Sequence, residues 1–172
     1  AVHPRFAVDA FLQDALAGYD ALALMPRGKH IARALHRHLP QDYDEALRWY
    51  EESYAKSEGP ATRLQWGSGY FSALVELAPH DAARIERVAR QLFAEAAKDP
   101  SAFHERSARS LQRVGSKLAE WNKGGQHEAT LRRLTDGADG QPGLGAVCGK
   151  LEAADAQRAT CEGIVKALGK KA

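Results

Sequence analysis

Two cysteines, Cys148 and Cys161, are the residues of this sequence whose spacing bears most directly on chemistry. They are the only cysteines in the chain, and both lie in the stretch AVCGKLEAADAQRATCEG, which runs from Ala146 to Gly163. Three states are open to them: a structural disulfide, a redox-active pair, or two unpaired thiols used as small apolar side chains. Catalytic pairs usually have the spacing Cys-x-x-Cys with a lowered thiol pKa, and that spacing is missing here. A disulfide is therefore the favoured interpretation.

The segment between the cysteines predicts how they would meet. The residues EAAD form a turn, and Asp155 is placed to cap a final helix, so the cysteines lie side by side across a small helical hairpin. Four apolar residues predict the inner face of that hairpin: Val147, Leu151, Ile164 and Leu168. Such a hairpin is too small to be held by burial alone. A disulfide closing its short loop would contribute about 3 kcal/mol in the chain-entropy model.

The state of the cysteines also predicts a compartment. A disulfide indicates an oxidising environment, and therefore a periplasmic or secreted protein, with a bacterial periplasm as the first choice. Two free thiols would indicate a cytoplasmic protein instead.

The other motifs that could carry chemistry are incomplete. The sequence has no P-loop and no nucleophile elbow, and GQPGLG does not follow a strand as a dinucleotide-binding motif must. HERSA at His104 and HEATL at His127 begin like the zinc-protease motif, but neither has the second histidine four residues later. The sequence therefore predicts a protein that is not an enzyme and has no cofactor.

Histidines near the start of the chain predict one conditional metal site. His36 and His38 share a short helix with His30, but they point in nearly opposite directions, so this group is interpreted as a solvated face. His3 could join the free amine of Ala1 and two backbone amides in a square-planar copper(II) site. That site requires Ala1 to be the natural N-terminus; otherwise His3 is a residue of a flexible tail.

Helix-favouring residues and helical spacing of apolar residues extend through nearly the whole chain. The predicted helices cover about 5–24, the short stretch KHIARALHRHL, a segment from an N-cap at Asp42, one from Pro60, one after Pro79, one from Asp99-Pro100 to about Lys123, and a short one with Leu131 and Leu134. The stretch ATRLQWGSGYFSALVELA is apolar on most sides and is predicted to be the central helix. Gly67 and Gly69 within it indicate that a neighbouring helix approaches closely, or alternatively that the helix has a local kink.

These patterns predict an all-α fold of about seven to nine antiparallel helices. One domain is expected over 1–172, with a main helical body at 1–135, a Gly-rich loop at 136–145 and the cysteine-clipped hairpin at 146–168. The stretch 42–78 resembles tetratricopeptide (TPR) repeats, because DYDEALRWYEESYA is similar to the second helix of a repeat and the spacing of Gly67 and Tyr70 fits the next first helix. The resemblance implies a right-handed stack of helical hairpins.

A longer part of the chain resembles a second group of proteins. GPATRLQWGSGYFSALVELAP, followed by VCGKL and ATCEG, is similar to the helical, TPR-like region downstream of the thioredoxin domain in some exported bacterial thioredoxin-like proteins. The resemblance covers most of 40–165 and implies an accessory helical domain of a disulfide-handling protein, with Cys148 and Cys161 as a structural bridge. It implies no thioredoxin activity, because the chain lacks both the thioredoxin fold and the Cys-x-x-Cys motif.

Charge and aromatic residues predict the class of partner. The net charge is only +2, with 24 basic and 22 acidic residues, which gives no electrostatic case for nucleic acid. No apolar run approaches the roughly 18 residues needed to cross a bilayer, so no membrane insertion is expected. Acidic and aromatic residues that could line a groove for a protein or peptide partner are Trp49, Glu52, Trp66 and Tyr70. The competing interpretation is a solvated helix face with the tryptophans in the core.

The function predicted from these observations is a non-catalytic helical interaction or accessory module that binds a protein or peptide. One alternative is thiol–disulfide exchange by Cys148 and Cys161 themselves. The other is a small-ligand carrier with a pocket between helices, lined by Trp66, Tyr70 and Phe71.

Overall fold

The computed structural model describes residues 43–169. Apart from Tyr43, the described residues belong to one compact unit that begins at Asp44. The first two predicted helices, the cap at Asp42 and the copper site at Ala1 and His3 lie outside the described residues. The single domain over 1–172 stays a prediction.

The described residues form seven α-helices and one short β-hairpin. In chain order the elements are α1 (Tyr43–Lys56), α2 (Pro60–Leu77), α3 (Ala82–Ala96), α4 (Glu105–Trp121), α5 (Glu128–Asp136), β1 (Gly137–Ala138), β2 (Gln141–Pro142), α6 (Leu144–Gly149) and α7 (Ala156–Leu168). The all-α prediction is confirmed. The resemblance to TPR repeats and to thioredoxin-associated helices stays a prediction.

Local sequence chemistry sets the start of three helices. Pro60 occupies the first turn of α2, where its missing N–H costs no hydrogen bond. Asp81 caps α3 by accepting a hydrogen bond from the backbone N–H of Arg84 at 3.1 Å. Asp155 caps α7 in the same way, through the backbone N–H of Gln157 at 2.8 Å. The predicted starts at Pro60 and Asp155 are confirmed.

The predicted start of α4 at Asp99-Pro100 is wrong, because this helix begins at Glu105. The Asp99 carboxylate accepts hydrogen bonds from both the backbone N–H and the hydroxyl of Ser101, at 2.9 and 2.8 Å. These local bonds stabilise a turn over residues that would otherwise form the first helical turn. The turn directs Ala102 and Phe103 into the core, where they are 0% and 3% exposed.

The Gly-rich segment, for which the sequence predicts a loop, contains a β-hairpin. Gly137 pairs with Pro142 and Ala138 pairs with Gln141 in an antiparallel register. The two residues between the strands, Asp139 and Gly140, have φ values of 53° and 76°. Positive φ at both positions is the requirement of a type I′ turn, which Asp-Gly meets at low cost. The hairpin connects α5 to α6 and therefore sets the path of the chain towards the first cysteine.

The central helix α2 packs against α3 and α4, and α4 packs in turn against α7. The prediction of a central, mostly apolar helix agrees with this arrangement. The largest side chains of the core that are almost completely buried are Leu47, Leu64, Tyr70, Phe71, Leu74, Ile85, Leu92, Leu111, Leu118, Leu134 and Leu144.

Gly67 lies where α2 meets α1 and α3. A Cβ atom added at this position would overlap the Leu92 side chain of α3 and would lie 2.8 Å from Cε2 of Tyr54 in α1. Both contacts are closer than packed side chains tolerate, so glycine is the residue that this approach requires. The close approach predicted from glycine in this helix is confirmed at Gly67.

Arg63 connects the first three helices. Its guanidinium forms two hydrogen bonds with Glu95 of α3, Nη2 to Oε1 at 2.6 Å and Nε to Oε2 at 3.2 Å. It also donates to the carbonyl oxygens of Tyr54 and Ser57, at 3.2 and 3.0 Å, and so satisfies acceptors at the C-terminal end of α1. The Tyr54 hydroxyl donates to Glu95 at 2.9 Å, and burial raises the pKa of that hydroxyl.

Glu86 connects α3 to α5 through two arginines. Its carboxylate accepts from Arg133 at 2.7 and 3.0 Å and from Arg90 at 2.8 Å. The Arg133 guanidinium, together with Arg90, holds the pKa of Glu86 at about 2, below the usual 4.5, although partial burial acts in the opposite direction. Ionised Glu86 is therefore a favourable part of the folded state at neutral pH.

We predict opposite stability effects for alanine at two helical glycines. Gly67→Ala forces Leu92 and Tyr54 to move and lowers the free energy of unfolding by about 1–3 kcal/mol. Gly163 lies in α7 with no atom within 4 Å of an added Cβ, so Gly163→Ala raises the free energy of unfolding by up to about 1 kcal/mol through helix propensity. Urea denaturation of the oxidised protein measures both. Equal effects at the two positions would contradict the close approach at Gly67.

We predict that Glu86 contributes to acid sensitivity. Because its folded-state pKa lies below the unfolded value, its contribution is complete above about pH 5 and is lost as the pH falls towards 2. Glu86→Gln therefore lowers stability by about 1–2 kcal/mol at pH 7, and much less at pH 2. Denaturation midpoints across this pH range measure the difference, with Glu58→Gln as control, since Glu58 is exposed and has no ion pair in the part of the chain described. A loss of stability at pH 2 as large as that at pH 7 would argue against the ion pairs.

Candidate functional site

Cys148 of α6 and Cys161 of α7 form a disulfide, with their Cα atoms 5.5 Å apart. The two cysteines are 2% and 0% exposed. The predicted inner face of this hairpin is confirmed for Val147, Ile164 and Leu168, which are buried at 6%, 3% and 3% exposure. Leu151 is half-buried against the same core. The disulfide is thus enclosed by apolar side chains and is shielded from solvent.

Contacts at two points hold α7 on the rest of the protein. A Cβ added at Gly115 of α4 would lie 2.8 Å from Cγ2 of Ile164, so glycine permits close contact between α4 and α7. Near the start of α7, the Gln157 amide accepts from the backbone N–H of Phe103 at 3.2 Å and donates to the carbonyl of Pro100 at 3.1 Å. The turn that replaces the predicted start of α4 therefore has a role in positioning α7.

A groove lies between α4 and α7, with a volume of about 330 Å³. Its lining residues are Gln112, Gly115, Ser116, Ala159, Thr160, Gly163, Ile164 and Ala167. Most of them are small, and Gln112, Ser116, Ala159 and Gly163 are exposed. The groove is therefore a shallow channel with little side-chain bulk, between one helix of the core and the helix that the disulfide fixes.

Basic residues accompany this groove on both sides. Arg106, Arg109 and Arg113 are exposed on α4, and no carboxylate within the described residues pairs with them. Arg109 and Arg113 lie within one helical turn of Gln112, which lines the groove. On α7, exposed Lys166 also lacks a carboxylate partner among residues 43–169 and follows Gly163 by one turn. The α4 edge of the groove is thus positively charged, and the α7 edge carries Lys166 next to Glu162, which is paired with Arg158.

Three of the predicted partner-binding residues lie on α1 and α2. Trp49 and Trp66 are half-buried, and Glu52 forms an ion pair with Lys56 on the same helix. Within residues 43–169, no hydrogen bond, ion pair or ring contact joins Trp49, Glu52 or Trp66 to one another. A role for these three in partner binding stays a prediction.

Tyr70, the fourth predicted partner-binding residue, is buried, with its side chain only 1% exposed. Its hydroxyl accepts a hydrogen bond from Nε of Arg84 at 2.8 Å, and its ring lies 6.4 Å from that of Tyr54. Phe71, proposed with it as part of a ligand pocket, is 0% exposed. The apolar character that suggested binding at these two positions reflects burial in the core.

The histidines of the two incomplete zinc motifs have no common partner. His104 is exposed before α4, whereas the His127 ring stacks on Trp121 with 3.5 Å between ring centroids. Burial lowers the pKa of His127. Trp121 also donates from its indole Nε1 to the carbonyl of Pro79 at 2.8 Å, so its role is to join the end of α4 to the segment after α2.

Two sequence patterns mark the groove but were not used to predict it. Small residues recur at every fourth position of α7, at Ala159, Gly163 and Ala167, and arginines recur along one face of α4. Each pattern, taken alone, is also typical of an ordinary solvent-exposed helix. Their meaning depends on the contact between α4 and α7, which joins segments far apart in the sequence.

Two further properties concern the described part of the chain. Residues 43–169 contain no cluster of three or more histidine, cysteine, aspartate or glutamate side chains that could hold a metal ion. Over the same residues, no helix has the length and apolar character needed to cross a membrane.

Comparisons of the chain with protein-family models, with curated proteins and with solved structures find no match.

Proposed function

We propose that this protein is a non-catalytic helical interaction module that binds a segment of a partner protein in the groove between α4 and α7. The observation that carries the proposal is the groove itself: an open channel of about 330 Å³ with small side chains on its floor. Two arginines without an ion pair among residues 43–169 lie along its α4 edge, and Lys166 lies on its α7 edge. A floor of small residues leaves room for side chains supplied by a partner.

Burial of the disulfide supports a structural role for it within this module. Thiol–disulfide exchange requires an attacking thiolate to reach a sulfur atom, and both cysteines here are almost completely buried. A structural disulfide also supports a periplasmic or secreted location, since such bonds persist in oxidising compartments. This location agrees with the proposed role as an accessory domain of an exported thioredoxin-like protein.

We predict that the disulfide resists glutathione while the protein is folded. The protein is incubated over a series of glutathione ratios, alkylated, and measured by intact mass. We expect no alkylated cysteine in the folded protein at any ratio. We expect two alkylated cysteines when the protein is unfolded in the presence of a strong reductant. The Cys148→Ser/Cys161→Ser variant loses about 2–4 kcal/mol of stability. Opening of the bond by glutathione in the folded protein, without loss of structure, would instead favour the exchange function.

Binding in the groove is tested by selecting peptides from a random displayed library on the oxidised protein. Gly163→Leu and Gly149→Leu are a matched pair, because both glycines are exposed and neither has an atom within 4 Å of an added Cβ. Gly163 lines the groove, and Gly149 does not. We expect the selected peptides to lose at least tenfold in affinity for Gly163→Leu and to keep their affinity for Gly149→Leu. Equal binding to both variants, or the absence of any selected peptide, would refute binding in this groove.

A further inference from the structure

We infer that the segment bound in the groove between α4 and α7 is an acidic amphipathic helix of a partner protein. This inference rests on the proposed function and adds the chemical class of the partner. It is carried by two independent features of the described residues: the side-chain sizes along the groove and the charges at its edges.

The side chains of the floor favour a helix as the occupant. Ala159, Gly163 and Ala167 recur at intervals of four residues on α7, and Gln112 and Ser116 have the same interval on α4. These rows are the ridges between which the ridge of a third helix packs. Because the floor contributes little bulk, large apolar side chains must come from the partner, which fits one apolar stripe of an amphipathic helix.

The length of the groove limits the contact to a few turns. Ala159 and Ala167 are two turns apart on α7, which corresponds to roughly 12 Å along the helix axis. A partner helix of three to four turns therefore covers the floor and extends slightly past both ends. Contact of this size is typical of a helix docked in a groove through a few anchor side chains.

The edge charges select an acidic partner. Arg109 and Arg113 are four positions apart, which is about one turn of α4. Two glutamates four positions apart on a partner helix have the same spacing and could each face one of these arginines. Guanidinium groups bind carboxylates with paired hydrogen bonds, and these two have no carboxylate partner of their own among residues 43–169. Lys166 provides a cation on the opposite edge, where the carboxylate of nearby Glu162 is already paired with Arg158.

The two features contribute different properties to binding. Exposed ion pairs are worth about 1 kcal/mol or less each, so apolar contact with the floor supplies most of the affinity. The arginines supply selection between partners and a faster association, since they attract carboxylates and repel cations. Nucleic acid or an anionic membrane would contact the arginines but would not place side chains in the groove. Binding of these ligands would therefore depend on the arginines and not on Gly163, whereas binding of a helix depends on both.

The test uses three synthetic peptides of fourteen residues with one leucine stripe at helical spacing, flanked by glutamate, by glutamine or by lysine. Fluorescence anisotropy measures their binding to the oxidised protein at low and at physiological salt. We expect the glutamate peptide to bind at least tenfold more tightly than the lysine peptide, with a smaller difference at higher salt. The glutamine peptide should bind with intermediate affinity.

The variants Arg109→Glu/Arg113→Glu and Arg87→Glu separate local from general charge effects. Arg87 is exposed on α3, outside the groove, and has no ion pair within the described part of the chain. We expect the double variant to reverse the preference between the glutamate and lysine peptides, and Arg87→Glu to leave it within twofold. All of these side chains are exposed, and circular dichroism with a melting curve verifies that each variant is folded.

The outcomes distinguish this inference from the proposed function. If all three peptides bind alike and Gly163→Leu weakens them alike, the groove binds peptides but the acidic partner is refuted. If Gly163→Leu does not change the affinity of any of the three synthetic peptides but weakens binding of the peptides selected from the library, the helical form of the partner is refuted. If vesicles with anionic phospholipid or a single-stranded oligonucleotide bind more tightly than the glutamate peptide, and only the arginine variants affect them, the surface belongs to that other ligand.

Discussion

The disulfide between Cys148 and Cys161 is the covalent constraint on the last described helix, which also packs against α4 through Gly115 and Ile164. It joins two short helices, α6 and α7, whose own apolar surface is small, and it lies inside the apolar side chains that those helices bury. The bond lowers the conformational entropy of the unfolded chain. It therefore stabilises the folded state even where the two helices bury little apolar surface. With α7 fixed, the channel along α4 has two walls of defined position, and its shape needs no ligand to form.

Glycines on three helices have different roles in this architecture, although their intrinsic helix propensity is equally poor. Gly67 and Gly115 stand where two helices touch, and a single methyl group at either would displace a neighbour. Gly163 has open space before it, so its cost in helix propensity is not repaid by packing inside the described residues.

The sequence was most informative wherever a local interaction decides the structure. Pro60 and Asp155 start helices through their own backbone and side-chain chemistry, and the cysteine hairpin follows from apolar residues close in sequence. Asp99 and Pro100 are compatible both with a helix start and with a turn. The turn forms, because it is stabilised by hydrogen bonds from Ser101 to Asp99 and places the Phe103 ring in the core. Tyr70 is buried in the core, and the sequence alone does not distinguish an aromatic residue of a core from one at a binding surface. The groove was missed because it arises from contact between distant helices, which no local pattern contains.

The disulfide also determines how the protein transmits force. Tension applied to the chain beyond residue 161 passes through the sulfur atoms directly to residue 148, so the segment 149–160 carries no load while the bond is intact. The cysteines are separated by 13 positions, and a fully stretched oxidised chain is therefore roughly 40 Å shorter than a reduced one. The N-terminal half of α7 and its cap would stay slack as the remaining helices are pulled apart. Along the covalent chain, tension on the far end of α7 therefore reaches α6 and the β-hairpin before it, rather than the start of α7.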